Sequence, residues 1–347
     1  MKAKPNLDLL RSVAILLVVV DHTLLSKGHE TWRNWQIGDI GLFGVYLFFV
    51  HTSLVLMWSL ERRPNTLDFY IRRIFRIYPL AILAILIAAL THAPVAGYAD
   101  HYFNVQPWTK LSLLINCLLM QQAFQHSPAI HGVTWSLPPE LYMYVLLPCL
   151  FLYARSLRKI WPLLVIWVLT VLVDRATFSV WIGNSFPVLI PDFLAGIIAY
   201  VGFMRRKPTL PAWTLLPLLA VLLTAFMSTH RIRADWYACL ALALILPSIK
   251  QLQLPSLKLL AHKVATYSFG VYLFHPFGIV LGMYLLAGRP LGLQLAVELS
   301  FTAAAAIASY HLLEKPMIEL GARVAAKLAG ERGLPSAQSL DSLEPAP

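Results

Sequence analysis

Arg11 and His22 lie in one apolar run, LDLLRSVAILLVVVDH, and their side chains are of the types that hold anions and move protons. They are eleven positions apart. At about 100° per residue that is three helical turns with a remainder of about 20°, so both point the same way. Their axial separation is about 16 Å, roughly half the thickness of a hydrocarbon core. An ionisable pair at that depth costs several kcal/mol unless it faces protein or a water-filled cavity, which makes this face a candidate functional site. Asp21 adjoins His22 but is turned about 100° from it, toward another helix or water.

Three more groups carry chemistry. In FYIRRIFRIYPL, Arg72 and Arg73 are each about one turn from Arg76, so a short helix here presents a guanidinium cluster. Planar forks suit the phosphates of an anionic cofactor, while anchoring to lipid headgroups is the structural alternative. In HGVTWSLPPELYMYVLLP, Glu140 follows Ser136 and two prolines at the start of a hydrophobic run. A carboxylate suits the first turn of a helix on electrostatic grounds alone. At the outer mouth of a bundle, near the depth expected for His22, it also suits orienting a base or binding an acceptor. His51 in FFVHTS, with Tyr272 and His275 in YSFGVYLFHP, completes the set of cavity candidates, with hydrogen bonding between helices as the alternative. Pro276 is expected to kink or open its helix. His29, His92, His101, His126 and His131 read as solvent-exposed loop histidines, and Trp32, Trp35, Trp108 and Trp181 as interface residues or sugar-stacking platforms.

The elements that must hold these residues are membrane helices. Hydrophobic residues make up 58% of the 347, charged residues 13%, and the mean hydropathy is +0.66. Apolar runs near 7–26, 40–61, 77–92, 139–155, 160–174, 184–203, 212–227, 234–249, 265–287 and 291–313 predict an all-α polytopic membrane protein of about ten transmembrane helices. Residues 110–124 are shorter and read as a re-entrant or interfacial helix. With both termini cytoplasmic, every Lys and Arg except Lys27, Arg33, Lys110, Arg175, Arg231, Arg233 and Arg289 falls on the inner side. That asymmetry accounts for the net charge of +11 and implies no nucleic-acid partner. The first run lacks a small-residue cleavage site and reads as retained. Cys117, Cys149 and Cys239 lack metal-ligand spacing and read as small packing residues, and no metal site is expected. The last stretch, 321–347, reads as a cytoplasmic tail, disordered at its end.

These residues together resemble the membrane acyltransferase 3 family, the multi-span O-acyltransferases of bacterial surface polysaccharides and related glycans. Arg11, ten residues, then His22 is similar to the family's first-span signature; RRIFRIYPL resembles its arginine motif and WSLPPE its Trp-Ser-Leu, two residues, Glu element. PDFLAG around Phe193 and Gly196, YSFGVYLFHP around His275, and HLLEKP around Glu314 and Pro316 follow in order. The departure is FFVHTS, where relatives read FF, two residues, Ser-Gly: Thr52 and Ser53 replace a small pair and His51 is added, which bears on the shape of the donor channel.

The resemblance implies an integral membrane acyltransferase domain over 1–320, in a bacterial inner membrane. It implies transfer of an acyl group, most often acetyl, from cytoplasmic acyl-CoA to a hydroxyl of a polysaccharide or glycolipid. Acyl-CoA is then a donor substrate and no cofactor is bound permanently. His22 matches the essential histidine, Arg11 its paired arginine, and Arg73 and Arg76 the donor-associated arginines. His22 would accept the hydroxyl proton or carry the acyl group, with Glu140 orienting the imidazole or the acceptor. A transporter or flippase for a lipid-linked sugar, a scaffold and a glycosyltransferase are the competing classes. Paired broken helices and an acidic loop motif, which the first and last of these would use, are not evident. Acceptor identity, acyl length and oligomeric state are not legible.

Overall fold

Pro5 opens the first helix where its missing N–H is no loss, and α1 runs unbroken over Pro5–Ser26. The computed structural model describes residues 4–91, 108–123, 129–157, 159–177, 186–229 and 235–331. Among these the one sheet is a small hairpin, Thr31–Trp32 with Trp35–Gln36, leading into α2 (Gly38–Arg62). The rest of the regular structure is helical, as expected: α3 (Thr66–Thr91), α4 (Lys110–Cys117), α5 (Leu137–Ser156), α6 (Trp161–Thr177), α7 (Phe186–Arg205), α8 (Leu215–Ser228), α9 (Asp235–Ile245), α10 (Pro255–Ile279), α11 (Leu291–Ser309) and α12 (Lys315–Glu331).

Among the described residues, six helical stretches are long and apolar enough to cross a bilayer: Pro5–Ser26, Gly38–Arg62, Thr66–Thr91, Gly132–Ser156, Pro255–Tyr284 and Leu291–Ala329. Ala212–Ser228 and Asp235–Ser248 are shorter apolar helices, and the two remaining apolar runs coincide with α6 and α7. Exposed leucines such as Leu16, Leu169, Leu172 and Leu299 coat the outside, as contact with lipid hydrocarbon requires.

α3 begins eleven residues before the apolar run expected at 77. Asn65 Oδ1 accepts from the N–H groups of Leu67 and Asp68 at 2.9 and 3.1 Å, so an N-cap starts the helix early. Arg72, Arg73 and Arg76 therefore ride on the same rod as the membrane segment, not on a short separate helix.

The centre of the fold is α1, packed against α2 and α10, with α2 continuing onto α7 and α10 onto α11. Two glycines permit the closest approaches: a Cβ on Gly44 would lie 2.6 Å from the Ala14 carbonyl, and one on Gly196 2.3 Å from that of Val50. Leu10, Ile15, Phe43, Leu47, Leu54, Met57 and Phe193 fill the resulting core.

The segment before α5 folds back on itself. α4 has eight residues, about 12 Å, too short to span, and a Thr109–Ser112 capping box starts it. Asn116 Oδ1 accepts from Ile130 N–H at 2.9 Å, and the amides of Gln121 and Gln122 donate to the Thr134 and Trp135 carbonyls. A 3₁₀ turn, Gly132–Ser136, then feeds α5. Tyr70 of α3 donates to the Val145 carbonyl of α5, and Phe69 packs on Tyr144, which sets the start of α5 beside the arginine turns of α3.

α10 stays helical through Pro276 and widens into a π-turn at Val280–Tyr284. A second π-turn, Tyr310–Glu314, joins α11 to α12, which packs along α3. The boundary expected at 320 thus falls inside α12, and 332–347 lie outside the described residues.

Candidate active site

A cavity of about 110 Å³ opens between α1, α2, α3, α5 and α10. One wall is apolar and comes from α2: Val45, Phe48, Phe49, Val55 and Leu56, interrupted by His51 and Thr52. The facing wall is polar: Arg11 from α1; Arg73 and Arg76 from α3; Glu140, Tyr144 and the preceding Ser136; and Ser268 and Tyr272 from α10.

Each polar group but one is held. Arg11 Nε donates to Ser268 Oγ at 2.5 Å, and Ser268 donates to the Ala265 carbonyl at 2.8 Å. Arg76 Nη1 lies 2.5 Å from Glu314 Oε1, whose side chain is fully buried. Tyr144 donates to Glu140. Arg73 Nε is buried without a hydrogen-bond partner among the described residues. Three guanidinium groups and two carboxylates therefore meet around the cavity, a formal surplus of one positive charge. In a low-dielectric setting that surplus favours an anionic guest.

Tyr272 closes one end of the cavity. Its hydroxyl donates to the Val133 carbonyl and meets Ser136 Oγ at 2.7 Å, tying α10 to the 3₁₀ turn. Beyond it the Tyr272 ring lies 6.2 Å from that of His275, and His275 Nε2 is 2.7 Å from His22 Nδ1. His22 itself does not line the cavity; 20% of its side chain is accessible. The site is thus a polar series, arginines and Glu140 first, then Ser136–Tyr272, then the histidine pair.

Residues 4–312 match the acyltransferase domain family, nearly the whole described chain. The chain belongs to this family. A stretch of 170 residues is 28% identical to the Acyltransferase MdmB of Streptomyces mycarofaciens, covering 45% of this chain and 42% of that protein, so the match spans less than half of the relative. No solved structure matches. The protein is a multi-pass membrane member of the acyltransferase domain family.

In this family member the expectation that Arg11 and His22 share a face holds: both reach α10, at Ser268 and His275. Ser136, Tyr272 and His51 line the cavity, and His275 lies one ring beyond it. Glu140 lines the cavity with Arg11, Arg73 and Arg76, whereas His22 does not line it. Because the preceding segment folds inward, α5 starts beside Arg73 and Arg76, and Glu140 bonds Tyr144. Arg72 leaves the cluster for Asp68, 2.9 Å away and one turn earlier on α3. Asp21 does meet another helix, since a Cβ on Gly41 would lie 2.5 Å from its Oδ2, yet the same atom is 3.8 Å from His22 Nε2.

The solvent-exposed reading fails for His131. It is fully buried, its Nε2 lies 2.8 Å from the Leu273 carbonyl, and its ring lies against Phe277. The inward fold of its segment is the cause. His29 is exposed as expected, whereas His92, His101, His126 and Trp181 lie outside the described residues. Among functional residues, sequence reasoning gave no role to Glu314, Tyr144 or Ser268. The signal for Glu314 was its place in HLLEKP, a charge inside a long apolar helix.

Proposed function

We propose that this membrane acyltransferase moves an acyl group, acetyl the expected one, from cytoplasmic acyl-CoA to a hydroxyl of a cell-surface polysaccharide or glycolipid in a bacterial inner membrane. About ten spans with both termini cytoplasmic put the arginine cavity on the inner half and His22 on the outer half. The observation that carries the reading is the surplus-positive cavity in which Arg73 Nε is buried without a hydrogen-bond partner among the described residues, divided from the histidine pair by one tyrosine.

Arg73 and Arg76 hold an anionic oxygen group of the donor, while its other phosphates stay at the cytoplasmic mouth. The apolar face of α2 takes the pantetheine arm. Arg11, fixed by Ser268, adds a third guanidinium that guides the anionic donor into the cavity. The thioester passes Tyr272 to reach His22, which accepts the proton of the attacking hydroxyl, a contribution of about 10² to 10⁴-fold. Glu140 balances the arginines and holds Tyr144 instead of orienting His22.

Titration of acetyl-CoA into the protein in lipid nanodiscs tests the donor half. Saturable binding is expected in wild type and is lost in the Arg73→Ala, Arg76→Ala double variant. Equal binding by both, or none by folded wild type, overturns the assignment and favours a protein that moves a lipid-linked sugar without thioester chemistry.

A further inference from the structure

We propose that His275 is a positioning residue that sets the tautomer of His22 and so presents Nε2 as the reactive nitrogen. This rests on the acyl-transfer reading above.

The hydrogen-bond partners decide the proton positions. His275 Nδ1 lies 3.1 Å from the Val271 carbonyl on its own helix. A carbonyl only accepts, so neutral His275 carries its proton on Nδ1 and offers Nε2 as a lone pair. That lone pair is 2.7 Å from His22 Nδ1. Two lone pairs do not face each other at such a distance, so His22 carries its proton on Nδ1 and donates it. The ring planes differ by 10° with centroids 5.0 Å apart. With the nitrogens 2.7 Å apart, both lie on the line joining the centroids, so the rings meet edge to edge in a common plane. The bond is therefore an in-plane N–H to lone-pair contact and not a face-to-face stack. The nitrogen that the His22–His275 bond leaves unprotonated is His22 Nε2, on a side chain that keeps 20% of its surface accessible while His275 is wholly buried.

The step this permits balances. The acceptor O–H proton passes to His22 Nε2 as the hydroxyl oxygen bonds the thioester carbonyl carbon. The C–S bond breaks with its electron pair on sulfur, and Nε2–H returns the proton to give the free thiol and neutral His22. His275 shares the transient charge through Nδ1–H, and Asp21 Oδ2, 3.8 Å from Nε2, faces the charged ring. The role parallels that of the residue that fixes the tautomer in hydrolytic triads, filled here by a second imidazole.

The test compares wild type, His275→Gln and His275→Phe in nanodiscs by ¹⁵N NMR of labelled histidine and by acyl-transfer kinetics, with His22→Gln assigning the His22 signals. Glutamine offers an amide oxygen to His22 Nδ1–H; phenylalanine offers none. The expected result is an Nδ1-protonated His22 in wild type and His275→Gln, lost in His275→Phe. With it, kcat falls about 100-fold in the Phe variant, recovers in part in the Gln variant, and the donor KM is unchanged in both. An Nε2-protonated His22 in wild type overturns the proposal, as does an unchanged kcat in His275→Phe. Absence of acyl transfer in wild type overturns the functional reading, while the tautomer signal still decides the His22–His275 bond.

Discussion

Glu314 Oε1 stands 2.5 Å from Arg76 Nη1, joining the π-turn at the end of α11 to the arginine face of α3. The carboxylate is fully buried and the guanidinium 23% exposed, so the pair stands partly out of water. Removing one partner strands the other. Glu314→Gln is expected to lower stability by about 1–3 kcal/mol, less than the full cost of breaking a wholly buried pair. The Arg76→Gln, Glu314→Gln double variant should regain part of that loss. Thermal unfolding of wild type, the two single variants Glu314→Gln and Arg76→Gln, and the double variant in one detergent checks it, and additive losses would mean the two groups do not interact.

Arg73 makes the opposite prediction. Its Nε has no hydrogen-bond partner among the described residues, so the native protein bears the desolvation of that nitrogen without a hydrogen bond in return. Arg73→Met should leave stability unchanged or raise it while weakening acyl-CoA binding about 10- to 100-fold, the worth of a charge-assisted hydrogen bond. Melting temperature and donor Kd, measured together, separate the two effects. A fall in melting temperature alongside the loss of donor affinity would assign Arg73 a structural role.

Arg72 serves as the internal control. It pairs with Asp68 along the helix and does not line the cavity. An i,i+4 pair of this kind contributes about 0.5 kcal/mol, so Arg72→Ala should change donor Kd by less than about twofold. A loss comparable to that of Arg73→Met would return Arg72 to the binding cluster.

How much of this was visible in the sequence depends on which physical signal carried it. The apolar runs and the shared face of Arg11 and His22 follow from helix periodicity, which packing leaves intact, and both residues do reach α10. Glu140 and His131 were misplaced for one reason. Depth was counted along the chain from an interface, whereas bonds such as Asn116 to Ile130 and Gln122 to Trp135 draw the described residues before α5 back against one another. Such side-chain to backbone bonds have no periodicity to read. Arg72 was grouped with Arg73 and Arg76 because spacing alone does not show that Asp68, one turn earlier, claims it.

The contact of α2 with α7 gives a packing prediction. A Cβ on Gly196 would lie 2.1 Å from Ser53 Oγ and 2.3 Å from the Val50 carbonyl. The hydroxyl can leave; the carbonyl cannot. Gly196→Ala should destabilise by about 1–3 kcal/mol, as overpacking does, and adding Ser53→Ala should not restore it. Full rescue by the second change would show that α2 can shift at that point. Ser53, turned toward α7, thus fills the helix contact, while Thr52 and His51 face the cavity.

The central claim is His22-dependent acyl transfer from a donor on one side of the membrane to a hydroxyl on the other. Sealed inside-out membrane vesicles expose the cytoplasmic face, and acyl-labelled acetyl-CoA supplied there reports transfer as alkali-labile label in the lumenal glycan or glycolipid. The account predicts label with wild type and none with His22→Ala, although His22→Ala binds acetyl-CoA as wild type does. Equal labelling by His22→Ala would contradict it.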